Sequence, residues 1–307
     1  MRLPSLRVIS KHSSLSIINS HPQHPTRMIP RPTRRIRPCV RRHLIHLLLA
    51  LAALIPTLAQ AQHPKPTAGA ERSAWYMYFG DHPLTPTLGI HLEGQFRRED
   101  LGQRPEQLLL RPGVTYSLGH GITTLLAYTY LRGYPYEGGS LGDPSTTGPQ
   151  PEHRILEELK FKHTLIGSHS DPKAVILSHR FRAEQRFEGT STKGIGVTAW
   201  EYAERVRYRL TANIPFRWST AGPRPDYTSI YNELFVNFGP HGGSRALNQN
   251  RTYGALGWNL SDNLQLEVGY LYEYMPRPNG IIGEHNHALQ ITINSTAPFR
   301  RGIHKKK

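Results

Sequence analysis

Cysteine is almost missing from this sequence. The only one among 307 residues is Cys39, and it precedes the main apolar segment of the chain. A lipoprotein cysteine follows such a segment, so Cys39 is in the wrong place to carry a lipid. The chain beyond Cys39 can form no disulfide and has no thiol for metal binding or catalysis, even in an oxidising compartment.

The sequence also lacks an apolar run long enough for a membrane helix. The longest stretch, Leu44–Ile55, falls short of the roughly 20 residues that a helix needs to cross a bilayer. It follows Arg41-Arg42 and precedes Ala59-Gln60-Ala61. A basic region, a short apolar region and a small-residue cleavage site in this order are typical of a secretory signal. We predict cleavage after Ala61, which makes Gln62 the first mature residue.

Acidic residues are absent from residues 1–61, which contain ten Lys or Arg. The last eight residues contain five more, so the formal charge of +16 falls to +1 for the body between. A strongly basic chain suggests nucleic-acid binding, but no basic domain is left here. We therefore expect no nucleic-acid partner. We predict a basic leader with a signal peptide over residues 1–61, with Met28 as an alternative start.

The rest of the chain has a regular alternation of apolar and polar residues. A period of two is that of a β-strand with one apolar and one polar face. Some segments follow it more cleanly than others. The ten segments are 86–98, 105–118, 121–134, 152–166, 173–188, 201–216, 226–239, 249–260, 263–274 and 285–299. The sequence therefore predicts an all-β protein of about ten strands.

Three features favour a transmembrane barrel over a soluble β-sandwich. The segments are longer than the five or so residues usual in soluble strands. Aromatic residues gather near segment ends, as in Tyr270, Tyr272 and Tyr274. Short connections alternate with long ones rich in Gly and Pro, such as 133–151, 189–198, 239–249 and 276–284.

We predict an antiparallel up-and-down transmembrane β-barrel, with eight to twelve strands possible. Its domains are a periplasmic linker over 62–74, a barrel over 75–299 and a basic tail over 300–307. An even strand count places both ends of the barrel in the periplasm. The aromatic piece Trp75–Phe79 is open to three interpretations: a further strand, a plug or an interfacial anchor.

The ordered motifs of the barrel segment resemble those of domain-of-unknown-function family 2490. The motifs are Trp75–Gly80, Glu152-His153-Arg154, Ser178–Arg186, Arg205–Arg209, Asn232–Phe235, Asn250–Gly254 and Gly269-Tyr270. The resemblance spans about Trp75 to Phe299. It implies a bacterial outer-membrane β-barrel and no particular activity, because that family has no established one.

The polar face of the strands carries many charges that we expect to face the lumen. These residues are Arg154, Glu158, Lys160, Arg180, Arg182, Glu184, Arg186, Arg205, Arg207, Arg209, Glu233, Arg251 and Glu267. Antiparallel neighbours bring such side chains within about 5 Å of each other. The lumen of a barrel of this size is just wide enough for side chains. We therefore expect a filling of mutual ion pairs.

The principal functional hypothesis is an outer-membrane barrel with a structural or interaction role. The alternative is a narrow channel or binding barrel for an anionic small solute, because basic residues outnumber acidic ones in the lumen set. A third hypothesis is a lipid-modifying enzyme, for which His163 and His179 lie near Ser168 and Ser178. No nucleophile motif frames these serines, so we name no catalytic residue.

We expect neither a cofactor nor a metal site. His285 and His287 share a strand face beside Glu284, but the end of an exposed strand explains them without a metal. The expected location is the outer membrane of a Gram-negative cell. The expected partners are outer-membrane lipid, the barrel-assembly machinery and, for the alternative hypothesis, an anionic small solute.

Overall fold

The computed structural model describes residues 71–136, 141–168, 170–216, 224–239, 246–276 and 283–299. The predicted leader and signal, the cleavage site at Ala59, Ala61 and Gln62, and the tail 300–307 lie outside these residues. In the described part, no helix is long and apolar enough to cross a membrane.

The described residues form a closed barrel of eleven strands with one short 3-10 helix at residues 100–102. The strands are β1 (Glu71–Pro83), β2 (Leu88–Glu99), β3 (Arg104–Gly119), β4 (Ile122–Gly133), β5 (Gln150–Ile166), β6 (Val175–Thr192), β7 (Gly196–Pro215), β8 (Tyr227–Phe238), β9 (Leu247–Ser261), β10 (Leu264–Pro276) and β11 (Gly283–Ser295). Strands adjacent in sequence pair antiparallel around the ring. The predicted all-β antiparallel barrel is confirmed, and its strand number falls within the expected eight to twelve.

The eleventh strand is β1, which the sequence left as one of three possibilities. It begins at Glu71, so the last residues of the predicted linker 62–74 belong to the barrel. β1 closes the ring by pairing parallel to β11, with Glu71 opposite Asn286 and Gly80 opposite Ser295. An odd number of alternating strands can close only with one parallel pair. The predicted even parity is therefore wrong, because Glu71 and Ser295 lie at opposite rims.

The connections divide between two rims. One rim, called lower here, has Ser295, the turns 84–87, 120–121 and 262–263, and the strand ends Ile166, Val175, Pro215 and Tyr227. Its β3–β4 turn is tight, with positive φ at Gly119, His120 and Gly121, a conformation that glycine adopts without strain. The opposite rim, called upper here, has Glu71, the connections 100–103 and 193–195, and the strand ends Gly133, Gln150, Phe238, Leu247, Pro276 and Gly283. The predicted long loop 189–198 is instead a three-residue turn, because β6 and β7 continue as a hairpin.

The two faces of the strands differ in chemistry. Outward positions carry large apolar side chains that are more than a third exposed. Examples are Leu92, Phe96, Leu110, Val114, Leu126, Ile155, Leu159, Phe181, Val206, Leu234, Leu256, Leu289 and Ile293. Inward positions of the same strands carry buried arginines and glutamates such as Arg182, Glu184 and Arg205. This is the reverse of the arrangement in a water-soluble barrel, which buries its apolar face.

Apolar side chains fill one side of the lumen. Trp75, Met77, Tyr231, Tyr253, Ala255, Leu271 and Ala288 form a buried cluster, against which Phe79 packs. We call these residues the apolar cluster. Trp75 is 1% exposed and its indole Nε1 donates a hydrogen bond to Glu106 at 3.1 Å. The polar edge of this aromatic side chain is thereby satisfied inside the barrel.

Candidate functional site

Strand alternation and register together build a charged site in the lumen. Every second residue of β5, β6 and β7 points inward, and the register places opposite charges across from one another. Glu158 faces Arg182 and Glu184 faces Arg205. Glu233 on β8 faces Arg209 on one side and Arg251 on the other. The sheet geometry thus puts carboxylates within reach of guanidinium groups without any loop.

Glu233 is the first centre of this site. Its carboxylate is completely buried and accepts hydrogen bonds from three arginines. Oε1 accepts from Arg180 Nη2 at 2.7 Å and from Arg207 Nε at 3.0 Å. Oε2 accepts from Arg209 Nη2 at 2.5 Å and from its Nε at 3.0 Å. Both nitrogens of Arg209 on one oxygen hold that guanidinium in a fixed orientation.

Glu184 is the second centre. Its Oε2 accepts from Arg205 Nη2 at 2.6 Å and Nε at 2.9 Å, while Oε1 accepts from Arg207 Nη1 at 2.8 Å. Arg154 Nη1 lies 4.0 Å from the same Oε1. Arg207 therefore bridges Glu184 and Glu233 and joins the two centres into one unit.

Further pairs extend this unit toward both rims. Arg182 Nη2 donates to Glu158 Oε2 at 2.5 Å, and Arg154 and Arg186 both bind Glu152. Lys160 Nζ lies 3.5 Å from Asp81 Oδ2. We call all these ion-paired residues the ion-pair network, in which Lys160 and Asp81 form a separate pair: Arg154, Glu158, Lys160, Arg180, Arg182, Glu184, Arg186, Arg205, Arg207, Arg209 and Glu233, together with Glu152 and Asp81.

Two residues of the predicted lumen set have other partners. Arg251 Nε donates to Glu273 Oε1 at 2.6 Å, which places it at the border between the network and the apolar cluster. Glu267 has no ion pair among the described residues. Its carboxylate accepts from Tyr227 Oη at 3.0 Å and from Tyr253 Oη at 3.4 Å. The structure therefore brings eleven of the thirteen predicted residues into the network and leaves these two beside it.

A second row of charged side chains, on β2 and β3, was not predicted from the sequence. Arg111 and Glu93 form an ion pair in which both side chains are 1% exposed. Arg111 Nε also donates to Thr129 Oγ1 at 2.7 Å. His91 Nδ1 lies 2.7 Å from Asp81 Oδ1 and links this row to Asp81 of the ion-pair network. The alternation that identifies inward residues on the other strands is also present here, because Glu93 lies between Leu92 and Gly94.

Arginines also stack on aromatic rings where the network meets the apolar cluster. The guanidinium carbon lies 3.9 Å from the ring centre of Tyr231 for Arg209, and 4.2 Å from that of Phe235 for Arg207. Arg97 lies 3.8 Å above Trp75. Cation–π contact of this kind is strengthened where water is excluded. These cation–π contacts were not predicted, because aromatic residues were expected at the membrane interfaces.

The junction of the two regions encloses a small cavity of about 20 Å³. Five arginines line it, Arg180, Arg182, Arg207, Arg209 and Arg251, with Glu93 as the one lining carboxylate. A space of that size holds about one water molecule. The described side chains therefore leave little free space at this point of the lumen.

The other candidate residues lie elsewhere. His163 and His179 stack on the outer face with ring centres 5.1 Å apart, whereas Ser178 has the inward parity of Arg180. His285 hydrogen-bonds to Tyr272 Oη at 2.7 Å, and His287 hydrogen-bonds to Tyr270. No group of three or more metal-ligating side chains is assembled within the described ranges.

The family comparison agrees with the extent of the barrel. The model of a family described as protein of unknown function (DUF2490) matches residues 72–283. That range begins in β1 and ends where β11 starts. Neither the curated proteins nor the solved structures gave a significant match.

Proposed function

This chain belongs to the DUF2490 family of proteins of unknown function, and we propose that it is an integral β-barrel of the Gram-negative outer membrane with a structural or interaction role. In this proposal the barrel crosses the membrane with a lumen closed by its own side chains. Outer-membrane lipid surrounds it, and the barrel-assembly machinery inserts it after export through the N-terminal signal.

The observation that carries the proposal is the apolar outer face. Leucine, isoleucine, valine and phenylalanine side chains cover the outside of every strand pair from β2 to β11, while the ion-pair network faces inward and Glu157 on β5 is an exposed exception. An apolar surface this continuous is unstable in water and is matched by the hydrocarbon of a bilayer. A closed barrel also leaves no unpaired strand edge in that hydrocarbon.

The ion-pair network supports a closed lumen. A diffusion pore needs a water-filled path, but Glu184 and Glu233 hold arginines from β5, β6 and β7 across the interior. Most of these side chains are nearly inaccessible to water. A barrel with this interior contributes a rigid wall and two rims, which is why a structural or interaction role fits best.

Expression of the whole chain in a Gram-negative host tests the proposal. We expect the protein in the outer-membrane fraction, with a band that migrates faster on gels unless the sample is boiled. Mature protein released by osmotic shock as a soluble species would overturn the membrane assignment. Purified protein in planar bilayers should give no conductance steps.

A second candidate is a narrow passage or binding site for an anionic solute. It is favoured by the cavity with five lining arginines and one carboxylate. Under this alternative, bilayers would show anion-selective conductance that falls in Arg182→Ala and Arg207→Ala. Arg104→Ala at the exposed upper rim is the control. Conductance that both lumen variants leave unchanged would exclude the alternative.

A further inference from the structure

The hairpin formed by β6 and β7 extends beyond its neighbours at the upper rim. The ladder between β5 and β6 ends at Glu188, opposite Glu152. The ladder between β7 and β8 begins only at Glu204, opposite Phe238. Between these points and the turn 193–195, the two strands continue to pair with each other. The hairpin therefore carries main-chain edges that the barrel wall does not cover.

The edge on the β6 side is covered by the β4–β5 connection. Gly148 N donates to Ser191 O at 3.1 Å, and Lys193 N donates to Thr146 O at 2.9 Å. Thr147 forms a β-bridge with Thr192. Lys193 Nζ donates to Pro144 O at 2.9 Å and fixes the turn to the same connection. These hydrogen bonds fix the hairpin to the β4–β5 connection and give partners to main-chain groups on its β6 side.

The edge on the β7 side has no such cover within the part of the chain that the structure describes. From Gly196 to Glu201 the main chain of β7 pairs with β6 alone, and each residue is exposed. Ile195 is 76% exposed, Val197 44% and Trp200 51%. Natural proteins rarely leave an apolar strand edge of this kind open, because it recruits other strands.

The charge on this edge indicates what it would bind. Glu201 lies directly opposite Glu188, whose carboxylate is bound by Arg186, whereas Glu201 forms no ion pair among the described residues. No Lys or Arg occurs between Gly196 and Glu204. A second copy of this edge segment, paired with the first, would therefore bring no cation to Glu201. Lipid chains would leave the main-chain N–H and C=O groups of the edge without partners.

We propose that the edge of β7 from Gly196 to Glu201 binds an extended peptide strand of a partner protein, with a basic residue placed against Glu201. The strand would continue the hairpin as a third strand through main-chain hydrogen bonds. Its apolar residues would cover Val197 and Trp200. This edge would be the surface for the interaction role proposed above. The inference rests on that proposed function for the side of the membrane on which the partner is met.

The test uses the whole chain in detergent and a synthetic peptide that alternates valine and threonine around a central lysine. We expect saturable binding and slower amide hydrogen exchange in residues 196–201. Glu201→Lys should weaken binding about tenfold, since an attraction becomes a repulsion at an exposed site. The matched control is Asp262→Lys, the same charge change at the lower rim, which should bind as the parent does. A peptide with a central aspartate should show the opposite preference and bind Glu201→Lys more tightly than the parent protein.

A proline pair tests the main-chain contribution. The ladder has a bulge at Thr198, since Thr190 pairs with Ala199 and Ser191 pairs with Val197. Beyond the bulge the N–H groups of a strand point alternately to its two sides, so of Ala199→Pro and Trp200→Pro one removes a bond to β6 and the other removes a donor from the free edge. Trp200→Ala is the control for loss of the indole. The variant whose hairpin keeps its exchange protection is the informative one, and its affinity should fall at least tenfold.

Three outcomes would overturn the proposal. The first is binding unchanged in both Glu201→Lys and the informative proline variant. The second is self-association through the edge, seen by sedimentation and lost in that variant. The third is exchange protection given by phospholipid vesicles without peptide. Heat-dependent gel migration of the same samples shows separately whether the barrel forms, so a failure of the membrane proposal is distinguishable from a failure of this one.

Discussion

Along β6 and β7 the inner face of the barrel carries charged residues at most positions, whereas β1, β10 and β11 present Trp75, Met77, Leu271 and Ala288 to the same lumen. Both regions exclude water, but they do so by different physics. The ion-pair network stabilises the lumen only while every charge has its partners. The apolar cluster depends on packed volume and tolerates small changes of shape.

The difference shows how one barrel can be filled in two ways. Directional hydrogen bonds and ion pairs from arginines to Glu184 and Glu233 fix the relative positions of β5, β6, β7 and β8. The apolar cluster packs across the seam between β1 and β11 without such constraints. We therefore expect the two regions to respond differently to substitution, and the following predictions test this.

The largest effect is expected from Glu233→Gln. The change removes a charge that three arginines share and leaves them buried with reduced compensation. The free energy of unfolding should fall by about 3–5 kcal/mol. Urea titration in detergent, followed by the heat-modifiable gel band, measures it.

The matched control is Asp262→Asn in the turn between β9 and β10, where the side chain is exposed. Its effect should stay within about 0.5 kcal/mol. Equal losses in the two variants would show that the network contributes no special stability.

A smaller effect is expected from Leu271→Ala in the apolar cluster. Leu271 is completely buried, so the change loses apolar burial and opens a cavity. The loss should be about 2–3 kcal/mol, at the low end for buried leucines, because neighbouring side chains can partly collapse. The same urea titration applies. Leu256→Ala on the exposed outer face is the comparison, and a loss there as large as in Leu271→Ala would contradict the distinction between the faces.

The smallest effect is expected from a double change on β2 and β3, Glu93→Leu with Arg111→Met. Both partners of a buried pair are then replaced by apolar groups, and the unfolding free energy should change by less than about 1 kcal/mol. Arg111→Met alone should cost about 3 kcal/mol because Glu93 stays buried without its guanidinium. Additive losses in the double variant would mean that the network cannot be converted locally into an apolar filling.

Much of the charged lumen could be predicted from the sequence because parity is an unambiguous signal on β5, β6 and β7. Arg205, Arg207 and Arg209 alternate with Val206 and Tyr208, so a single inward position fixes all the others. The connectivity could not be predicted, since the sharing of Glu233 by three arginines depends on register and on side-chain reach across the lumen.

The strand β1 was harder to predict for a physical reason. Its stretch Trp75–Phe79 is apolar on both faces, because its inner side chains join the apolar cluster and its outer ones belong to the barrel's apolar surface. Alternation therefore disappears where both environments are apolar. The extension of β6 and β7 was also missed, because Gly194 and Gly196 suggested a long loop rather than a tight turn.

The parallel seam between β1 and β11 has a consequence for the order in which the barrel folds. Each antiparallel neighbour pair is joined by a local connection, but Glu71 and its partner Asn286 are separated in sequence by almost the whole barrel. Contacts between such distant parts of a chain carry the highest entropy of closure. The seam should therefore form last, from an open sheet with β1 and β11 as its two free margins. Whatever assists assembly has to keep those margins apart until the ring is complete.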